Sequence, residues 1–231
     1  RYMGGRLHVS TNRTPVDRVL QTLGPTINRM ELPAIEKIGG DQRSDPFHVL
    51  IATMLSAQTK DAVTFDASTR LFARAPTPQT MLRLKVSDIE RLIYPVSFYR
   101  NKARHVKETC RQLIEEFDGW VPTTMDKLLT LPGVGRKTAN LVLIVALRST
   151  ANICVDTHVH RISNRLGWVS TKTPEQTESA LYDVVPRRWW ASINLYLVTW
   201  GQNVCRPVYP VCGRCAIETL CPRIGVSRVG R

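Results

Sequence analysis

A glycine hairpin between two helical segments organises the middle of this chain, at Leu131-Pro-Gly-Val-Gly-Arg-Lys137. Gly133 and Gly135 permit a tight turn in which successive backbone N–H groups converge, because neither residue carries a Cβ that would block a positive φ or a close approach. A pair of threonines precedes a short helix upstream, and residues 138–147 show apolar side chains at helical spacing downstream. The sequence therefore predicts a helix-hairpin-helix unit that binds a phosphate, and so holds DNA without reading its sequence. The alternative is a turn that only packs two helices together.

The excess of basic residues predicts a polyanionic partner. The 231 residues include 32 Lys and Arg against 19 Asp and Glu, which gives a net charge of +13 spread along the chain. Charge alone does not distinguish DNA from RNA or from anionic lipid. No apolar run approaches the length of a membrane span, and the amino end lacks a signal-peptide pattern. We therefore expect an intracellular protein that does not engage a membrane.

Four of the six cysteines lie close together near the carboxyl end, as Cys205, Cys212, Cys215 and Cys221. In a reducing compartment this density indicates metal or cluster ligation rather than a disulfide framework. A tetrahedral zinc ion and a [4Fe-4S] cluster both accept four cysteine thiolates. Zinc sites usually pair two C-x2-C hairpins, whereas the C-x6-C-x2-C-x5-C spacing here has one wide gap, which favours the iron–sulfur cluster.

Short helices with short connections fill residues 41–149, and no alternating strand pattern occurs, so we predict an all-α fold. One helix is expected to begin at Asp45-Pro46 and to end in a polar loop that contains Gln58. Another is predicted over residues 102–117, after a basic loop that contains Phe98. The loop alone favours packing of the Phe98 ring onto the following helix over its insertion between DNA bases.

Three more helices are predicted after the hairpin. Asp156 is the expected N-cap of the first. Thr173 and Pro174 open the second, and the last is expected over residues 187–204. An N-cap role alone would explain Asp156, and the presence of Lys137 adds a catalytic interpretation.

Three separated stretches of the sequence resemble one family. They are Leu131-Pro-Gly-Val-Gly-Arg-Lys-Thr-Ala-Asn140, Val155-Asp-Thr-His-Val-His-Arg161 and the four-cysteine loop. Together they look like endonuclease III, and the resemblance extends from Pro46 to Cys221. It implies a bifunctional DNA glycosylase and apurinic/apyrimidinic lyase of base excision repair. Such an enzyme removes oxidised pyrimidines of the thymine glycol type from duplex DNA and nicks the strand by β-elimination through a lysine Schiff base.

The architecture of the family implies a division of the chain. Residues 41–149 would form a six-helix barrel with the helix-hairpin-helix motif. Residues 15–40 and 150–231 would form the domain of the [4Fe-4S] cluster from both chain ends, and residues 1–14 are expected to be poorly ordered. The implied partner is double-stranded DNA that contains damaged bases or abasic sites. A monomer would bind it in the cytoplasm or nucleoid of a prokaryote or in the nucleus of a eukaryote.

The resemblance also implies roles for single residues. Lys137 would be the nucleophile and Asp156 the essential carboxylate. Gln58 and Phe98 would fill the gap left by the extruded base, and His158 would lie near the pocket. We expect the start of a helix and partial burial to favour a neutral amine on the lysine. The hairpin residues implied to contact DNA are Leu131, Gly133, Val134, Gly135 and Arg136. The implied cluster ligands are Cys205, Cys212, Cys215 and Cys221.

Lys137 distinguishes between the branches of the superfamily that the sequence resembles. Mismatch-specific glycosylases share the hairpin, the aspartate and the cluster, but they typically lack this lysine. The 8-oxoguanine branch shares the lysine and typically lacks the four-cysteine loop. Outside the superfamily, a non-catalytic DNA-binding module would not need Lys137 and Asp156 together, and a zinc-stabilised nucleic-acid adaptor would lack the visible absorbance of an iron–sulfur cluster.

Overall fold

Every regular element of the described structure is helical. The computed structural model describes residues 14–40 and 45–230, and the elements in these ranges are α-helices with short 3-10 turns and one π-helix. The predicted all-α class is therefore confirmed. The expected disorder of residues 1–14 falls, except for Thr14, outside the described residues. None of the helices in the described ranges is both long and apolar enough to cross a bilayer.

Twelve α-helices occur in the described residues. Their bounds are α1 Val16–Ile27, α2 Ala34–Gly39, α3 Pro46–Ser56, α4 Asp61–Arg74, α5 Pro78–Arg83, α6 Val86–Ile93, α7 Tyr99–Phe117, α8 Met125–Leu128, α9 Arg136–Leu141, α10 Thr157–Arg165, α11 Pro174–Val184 and α12 Ile193–Asn203.

The first hydrophobic core joins α2 to α9 into one body. Its central helix is α3, whose face from Phe47 to Leu55 is almost wholly buried. The helix begins as predicted, because the Asp45 carboxylate accepts a hydrogen bond of 2.8 Å from the Phe47 N–H and Pro46 occupies the first turn. Seven helices, α3 to α9, lie in the described part of the range that we predicted to hold about six. The shortest of them is α8, a single turn at Met125–Leu128.

The second hydrophobic core combines both ends of the chain. It joins α1 to α10, α11 and α12, and its largest buried side chains are those of Trp168 and Trp200. The cysteine loop packs against this core. We grouped α2 with this half of the chain, but Ile35 belongs to the first core because α2 packs on α3 and α4.

The last predicted helix is interrupted. In place of one helix over residues 187–204, a 3-10 turn at Arg187–Trp189 precedes α12. Two indole groups at the break bond to different elements: Trp189 Nε1 donates to Asp17 Oδ1 at 2.6 Å, and Trp190 Nε1 donates to the Val185 carbonyl at 2.8 Å. These bonds hold the chain in a bend that helical spacing in the sequence does not reveal.

Candidate active site

The helix-hairpin-helix unit consists of α8, α9 and the turn between them. Gly133 has a φ of 74°, and a Cβ there would lie 2.8 Å from the His105 ring, so only glycine fits. Gly135 has extended backbone with a φ of −98°, and the space where its Cβ would lie is open. The fold therefore does not require glycine at position 135. A phosphate that approaches the backbone closely would require it, because a side chain would block the approach. Thr124 at the N-cap of α8 makes no side-chain hydrogen bond, contrary to the predicted cap.

Three hairpin side chains implied to contact DNA have other partners in the structure. Leu131 and Val134 are buried in the first core, so only their backbone groups can reach a ligand. The Arg136 guanidinium bonds the Glu178 carboxylate of α11 through Nε at 3.2 Å and through a terminal nitrogen at 2.5 Å. This pair fixes the start of α9 against the second half of the molecule.

Lys137 is the second residue of α9. The helix begins at Arg136, two residues earlier than predicted, and it continues as the π-helix Val142–Ala146. The amine therefore lies beside the positive end of a helix dipole, as expected. The side chain is exposed in the free protein, so the expected partial burial is wrong.

Asp156 is the N-cap of α10, as predicted, and it is buried. Its Oδ1 atom accepts hydrogen bonds of 2.9 Å from the N–H groups of both His158 and Val159. Both bonds use one oxygen, so the second carboxylate oxygen carries neither of them. The backbone thus fixes the carboxylate while leaving one oxygen for chemistry.

One cleft brings the predicted catalytic pair together. Its volume is about 560 Å³, and it is lined by residues of α2, α9, α10 and α12 and of the segment that follows α3. Four of the residues that line it were predicted as site residues: Gln58, Lys137, Asp156 and His158. Further polar residues that line it are Glu36, Ser56, Thr59, Lys60, Asp61, Thr157, Asn194 and Gln202.

Glu36 also lines the cleft, and the sequence did not predict this. It comes from α2, a short helix more than a hundred residues from Lys137, and no local pattern marks it as a pocket residue. Burial raises the pKa of the Glu36 carboxyl above its usual value, although the Arg148 charge opposes this shift. Burial lowers the pKa of His158 in the same cleft, while the Asp156 charge raises it. A group with a perturbed pKa in a cleft is typical of a functional site.

Gln58 and Phe98 are both presented to solvent on strained backbone. Their φ angles are 54° and 56°, in the left-handed region that residues with a Cβ rarely adopt. Gln58 follows α3, as predicted, and is exposed. The Phe98 side chain is 64% exposed at the N-cap of α7. The interpretation that its ring packs onto the following helix is therefore wrong, and the ring is free to meet a ligand.

The four clustered cysteines line one cavity with Arg165 and Trp200. None of them forms a disulfide, and Arg165, which is buried, donates a hydrogen bond of 3.3 Å to Cys205 Sγ. The buried Trp200 places its indole N–H beside the Cys215 thiol in the same cavity. A thiolate or a cluster sulfide would accept from this donor, so the residues present fit an iron–sulfur cluster. No three His, Cys, Asp or Glu side chains in residues 14–40 and 45–230 converge to hold a single metal ion.

Fold and site together define a DNA-repair glycosylase built on the helix-hairpin-helix scaffold. Residues 51–187 match the family described as HhH-GPD superfamily base excision DNA repair protein. The chain is 47% identical to endonuclease III of Thermotoga maritima over 180 residues, which are 78% of this chain and 84% of that protein. It is 48% identical over 184 residues to endonuclease III homolog 2, chloroplastic, of Arabidopsis thaliana. That match covers 76% of this chain and 48% of the plant protein.

The chain belongs to the endonuclease III family within this superfamily. Its fold matches an endonuclease III in a trapped covalent complex with DNA, with a TM-score of 0.79 and 32% identity over 90% of this chain and 94% of that chain. The protein is accordingly a DNA glycosylase of base excision repair with lyase activity. It spans most of the Thermotoga maritima enzyme and about half of the plant relative.

Proposed function

We propose that this protein removes oxidised pyrimidines, such as thymine glycol, from duplex DNA and cuts the strand at the abasic site that results. The observation that carries the proposal is the cleft of about 560 Å³ that Lys137, Asp156 and Gln58 share. An oxidised pyrimidine bears hydroxyl or additional carbonyl groups on a small ring. The amide and carboxyl groups of Asn194 and Glu36 in the cleft can hydrogen-bond to such groups.

Lys137 is the nucleophile in this proposal. Its neutral amine attacks C1′ of the damaged nucleotide, the bond from C1′ to the base nitrogen breaks, and the base leaves with the electron pair and takes up a proton. The attached nitrogen then loses one proton, and its lone pair displaces O4′ from C1′. The sugar ring opens, O4′ takes up a proton, and the product is a protonated Schiff base. Removal of a 2′ proton then breaks the C–O bond on the 3′ side, which cuts the strand.

Asp156 stabilises the positive charge that develops on the sugar as the base leaves. A carboxylate acts strongly at short range in a site from which water is excluded. Two backbone N–H groups hold Oδ1 of Asp156 in place, so no reorganisation is required during the reaction. His158, in the first turn of the same helix, lines the cleft beside it and would contact the extruded nucleotide.

Gln58 and Phe98 act on the duplex rather than on the sugar. A base must leave the stack before its C1′ atom can be reached, and the gap needs side chains to fill it. An exposed amide and an exposed aromatic ring suit this role, and both are held on loops whose backbone is already strained. The hairpin backbone would bind the phosphates, so that double-stranded DNA is held by a monomer without sequence preference. The net charge of +13 supports this interaction.

The cysteine loop would hold a [4Fe-4S] cluster through Cys205, Cys212, Cys215 and Cys221. Four thiols line one cavity, and their C-x6-C-x2-C-x5-C spacing, with one wide gap, favours a cluster of several irons over zinc. When bound, the cluster would tie the loop together and contribute to its folding. Arg206 and Arg214 beside the cysteines are exposed and available to DNA phosphates.

Borohydride trapping tests the proposed function. The purified protein is incubated with duplex DNA that contains one thymine glycol, and the Schiff base is reduced to a stable covalent complex. We expect a complex with the unchanged protein and none with Lys137→Gln. Lys127→Gln is the matched control, because Lys127 is also exposed and lies on α8, the other helix of the hairpin unit.

Two outcomes would contradict parts of the proposal. Trapping by Lys137→Gln would remove this lysine as the nucleophile. Tight binding without any trapped complex from the unchanged protein would indicate a glycosylase without lyase chemistry on this lesion. A duplex that carries a preformed abasic site then distinguishes a protein that cannot remove the base from one that cannot form the Schiff base with the sugar.

A further inference from the structure

Lys102 is a buried lysine in the first turn of α7. The residue is only 8% exposed, which is rare for lysine unless the amine is fully paired. Its Nζ donates hydrogen bonds to the Leu55 carbonyl at 2.7 Å, the Ala57 carbonyl at 2.6 Å and the Thr59 hydroxyl at 3.2 Å. An ammonium has three donors, so all of them are used. The amine thus caps the end of α3 and the loop that follows it.

These bonds act on the segment that carries Gln58, residues 57–60, which we term the Gln58 loop. A second segment, residues 94–98, ends at Phe98 and is termed the Phe98 loop. The side chain of Lys102 acts on the Gln58 loop, and the helix that carries it begins directly after Phe98, whose carbonyl accepts from the Lys102 backbone N–H at 3.0 Å. The Thr59 hydroxyl adds a direct link, since it accepts from the Ser97 N–H at 3.2 Å.

Both loops need such support. Gln58 and Phe98 each adopt a left-handed backbone conformation, which is unfavourable for any residue with a Cβ. A strained conformation of this kind persists only where the surrounding structure determines it. Burial lowers the pKa of Lys102 to about 8, so at neutral pH the amine is largely protonated and can donate all three bonds.

We infer that Lys102 is a positioning residue that fixes the Gln58 loop and the Phe98 loop relative to each other, so that both side chains enter the gap in the duplex together. This inference rests on the proposed function, in which Gln58 and Phe98 fill that gap. Because the Lys102 amine is buried and bonded within the protein, this role requires no contact with DNA or with the reacting atoms. Its effect is to set the distance and orientation of the two inserted side chains before DNA arrives.

The same helix offers a matched control. Lys107, five residues later on α7, also donates its amine to main-chain carbonyls, those of Leu82 at 2.9 Å and of Leu84. It ties α5 and the residue after it to α7, and it contacts neither of the two loops. Lys102→Met and Lys107→Met therefore remove the same kind of interaction, and only the first should affect base extrusion.

The first measurement uses a duplex with a stable tetrahydrofuran abasic analogue opposite 2-aminopurine, whose fluorescence reports how the gap is filled. The unchanged protein and Lys107→Met should give the same fluorescence change at saturation, and Lys102→Met should lose most of it. Thr59→Val is a second variant that removes the link between the loops without removing a buried cation, and it should lose part of the change. Equal fluorescence changes for all four proteins would overturn the inference.

The second measurement is single-turnover excision from thymine glycol DNA. Lys102→Met should lower the rate about tenfold or more, since a small misplacement of a positioned group is costly. In a protein that already carries Gln58→Ala and Phe98→Ala, Lys102→Met should lower the excision rate less than about twofold. The effects of residues that act through one another are not additive. A full tenfold loss in that background would mean that Lys102 acts on stability alone. If the unchanged protein shows the fluorescence response but excises no thymine glycol, the proposed lesion is wrong and the positioning role stands.

Discussion

Arg136 and Glu178 form an ion pair whose two side chains differ in their exposure to solvent. The two side chains share two hydrogen bonds, yet the Arg136 side chain is 52% exposed whereas that of Glu178 is 7% exposed. Loss of the arginine would leave a nearly buried carboxylate without its cation. Loss of the carboxylate charge would leave a guanidinium that water already reaches. We therefore expect Arg136→Met to destabilise the protein more than Glu178→Gln.

The solvent exposure of the charge left behind determines how much each substitution should lower the free energy of unfolding. Removal of one partner from a fully buried ion pair costs about 3–5 kcal/mol, and solvent on the arginine side reduces this, so we expect about 2 kcal/mol for Arg136→Met. Glu178→Gln keeps an acceptor for the guanidinium and should cost about 1 kcal/mol or less. In a chain of this length, these values correspond to a fall in Tm of about 4–8 °C for the first variant and about half of that or less for the second.

Urea denaturation followed by circular dichroism at neutral pH measures both free energies of unfolding. Arg111→Met is the control, because Arg111 pairs with Glu108 on the surface of α7 with both side chains about half exposed, and its loss should cost under about 0.5 kcal/mol. A greater loss for Glu178→Gln than for Arg136→Met would refute the argument from exposure. Since the pair holds the start of α9, Arg136→Met should also reduce borohydride trapping by Lys137.

Three further predictions follow from single contacts. Asp156→Asn retains an oxygen for the two N–H groups of α10, so its unfolding free energy should change by less than about 1 kcal/mol while borohydride trapping is lost; a variant that fails to fold would favour a purely structural role. Because burial raises the pKa of Glu36, its ionisation opposes folding at neutral pH, and the stabilising protonated form is lost as the pH rises above 4.5. Glu36→Gln should therefore have a higher urea midpoint than the unchanged protein at pH 7, and the difference should disappear below about pH 4.5. Equal midpoints at pH 7 would contradict this prediction. A Cβ at Gly201 would lie 2.4 Å from His158 Nδ1, so Gly201→Ala should cost about 1–3 kcal/mol and reduce trapping, whereas Gly213→Ala, where the space is open, should be neutral.

Local sequence signals identified the features that depend on neighbouring residues. The caps at Asp45, Asp156 and Thr173 were predicted because each bonds to a backbone N–H two or three residues along the chain. The turn at Gly133 was predicted because its positive φ requires glycine. The proposed catalytic pair, Lys137 and Asp156, came from the resemblance of whole motifs and not from periodicity.

Features that depend on distant residues could not be predicted in this way. Arg136 and Glu178 are 42 residues apart, and a charged residue in a hairpin suggests DNA more readily than a protein partner. The amine of Lys102 bonds to carbonyl groups 45 and 47 residues away, although its position in the sequence is that of an ordinary solvated lysine. Glu36 reaches the cleft only because α2 packs on α3 and α4. In each case tertiary packing determines the environment of the side chain, and the neighbouring residues in the sequence do not indicate that environment.

The unequal exposure of the proposed catalytic pair, Lys137 and Asp156, suggests how the free enzyme avoids unproductive chemistry. Asp156 is buried and held by two backbone bonds, so its geometry is complete before DNA binds. Lys137 is exposed in the free protein. In the proposed mechanism the extruded nucleotide fills the cleft and expels water from around the amine. In this proposal the fold preorganises Asp156, whereas the surroundings of Lys137 are completed only when damaged DNA closes the site. A small amine-directed reagent should accordingly modify Lys137 in the free protein and not in the complex with damaged DNA, and equal modification in both states would contradict this division of roles.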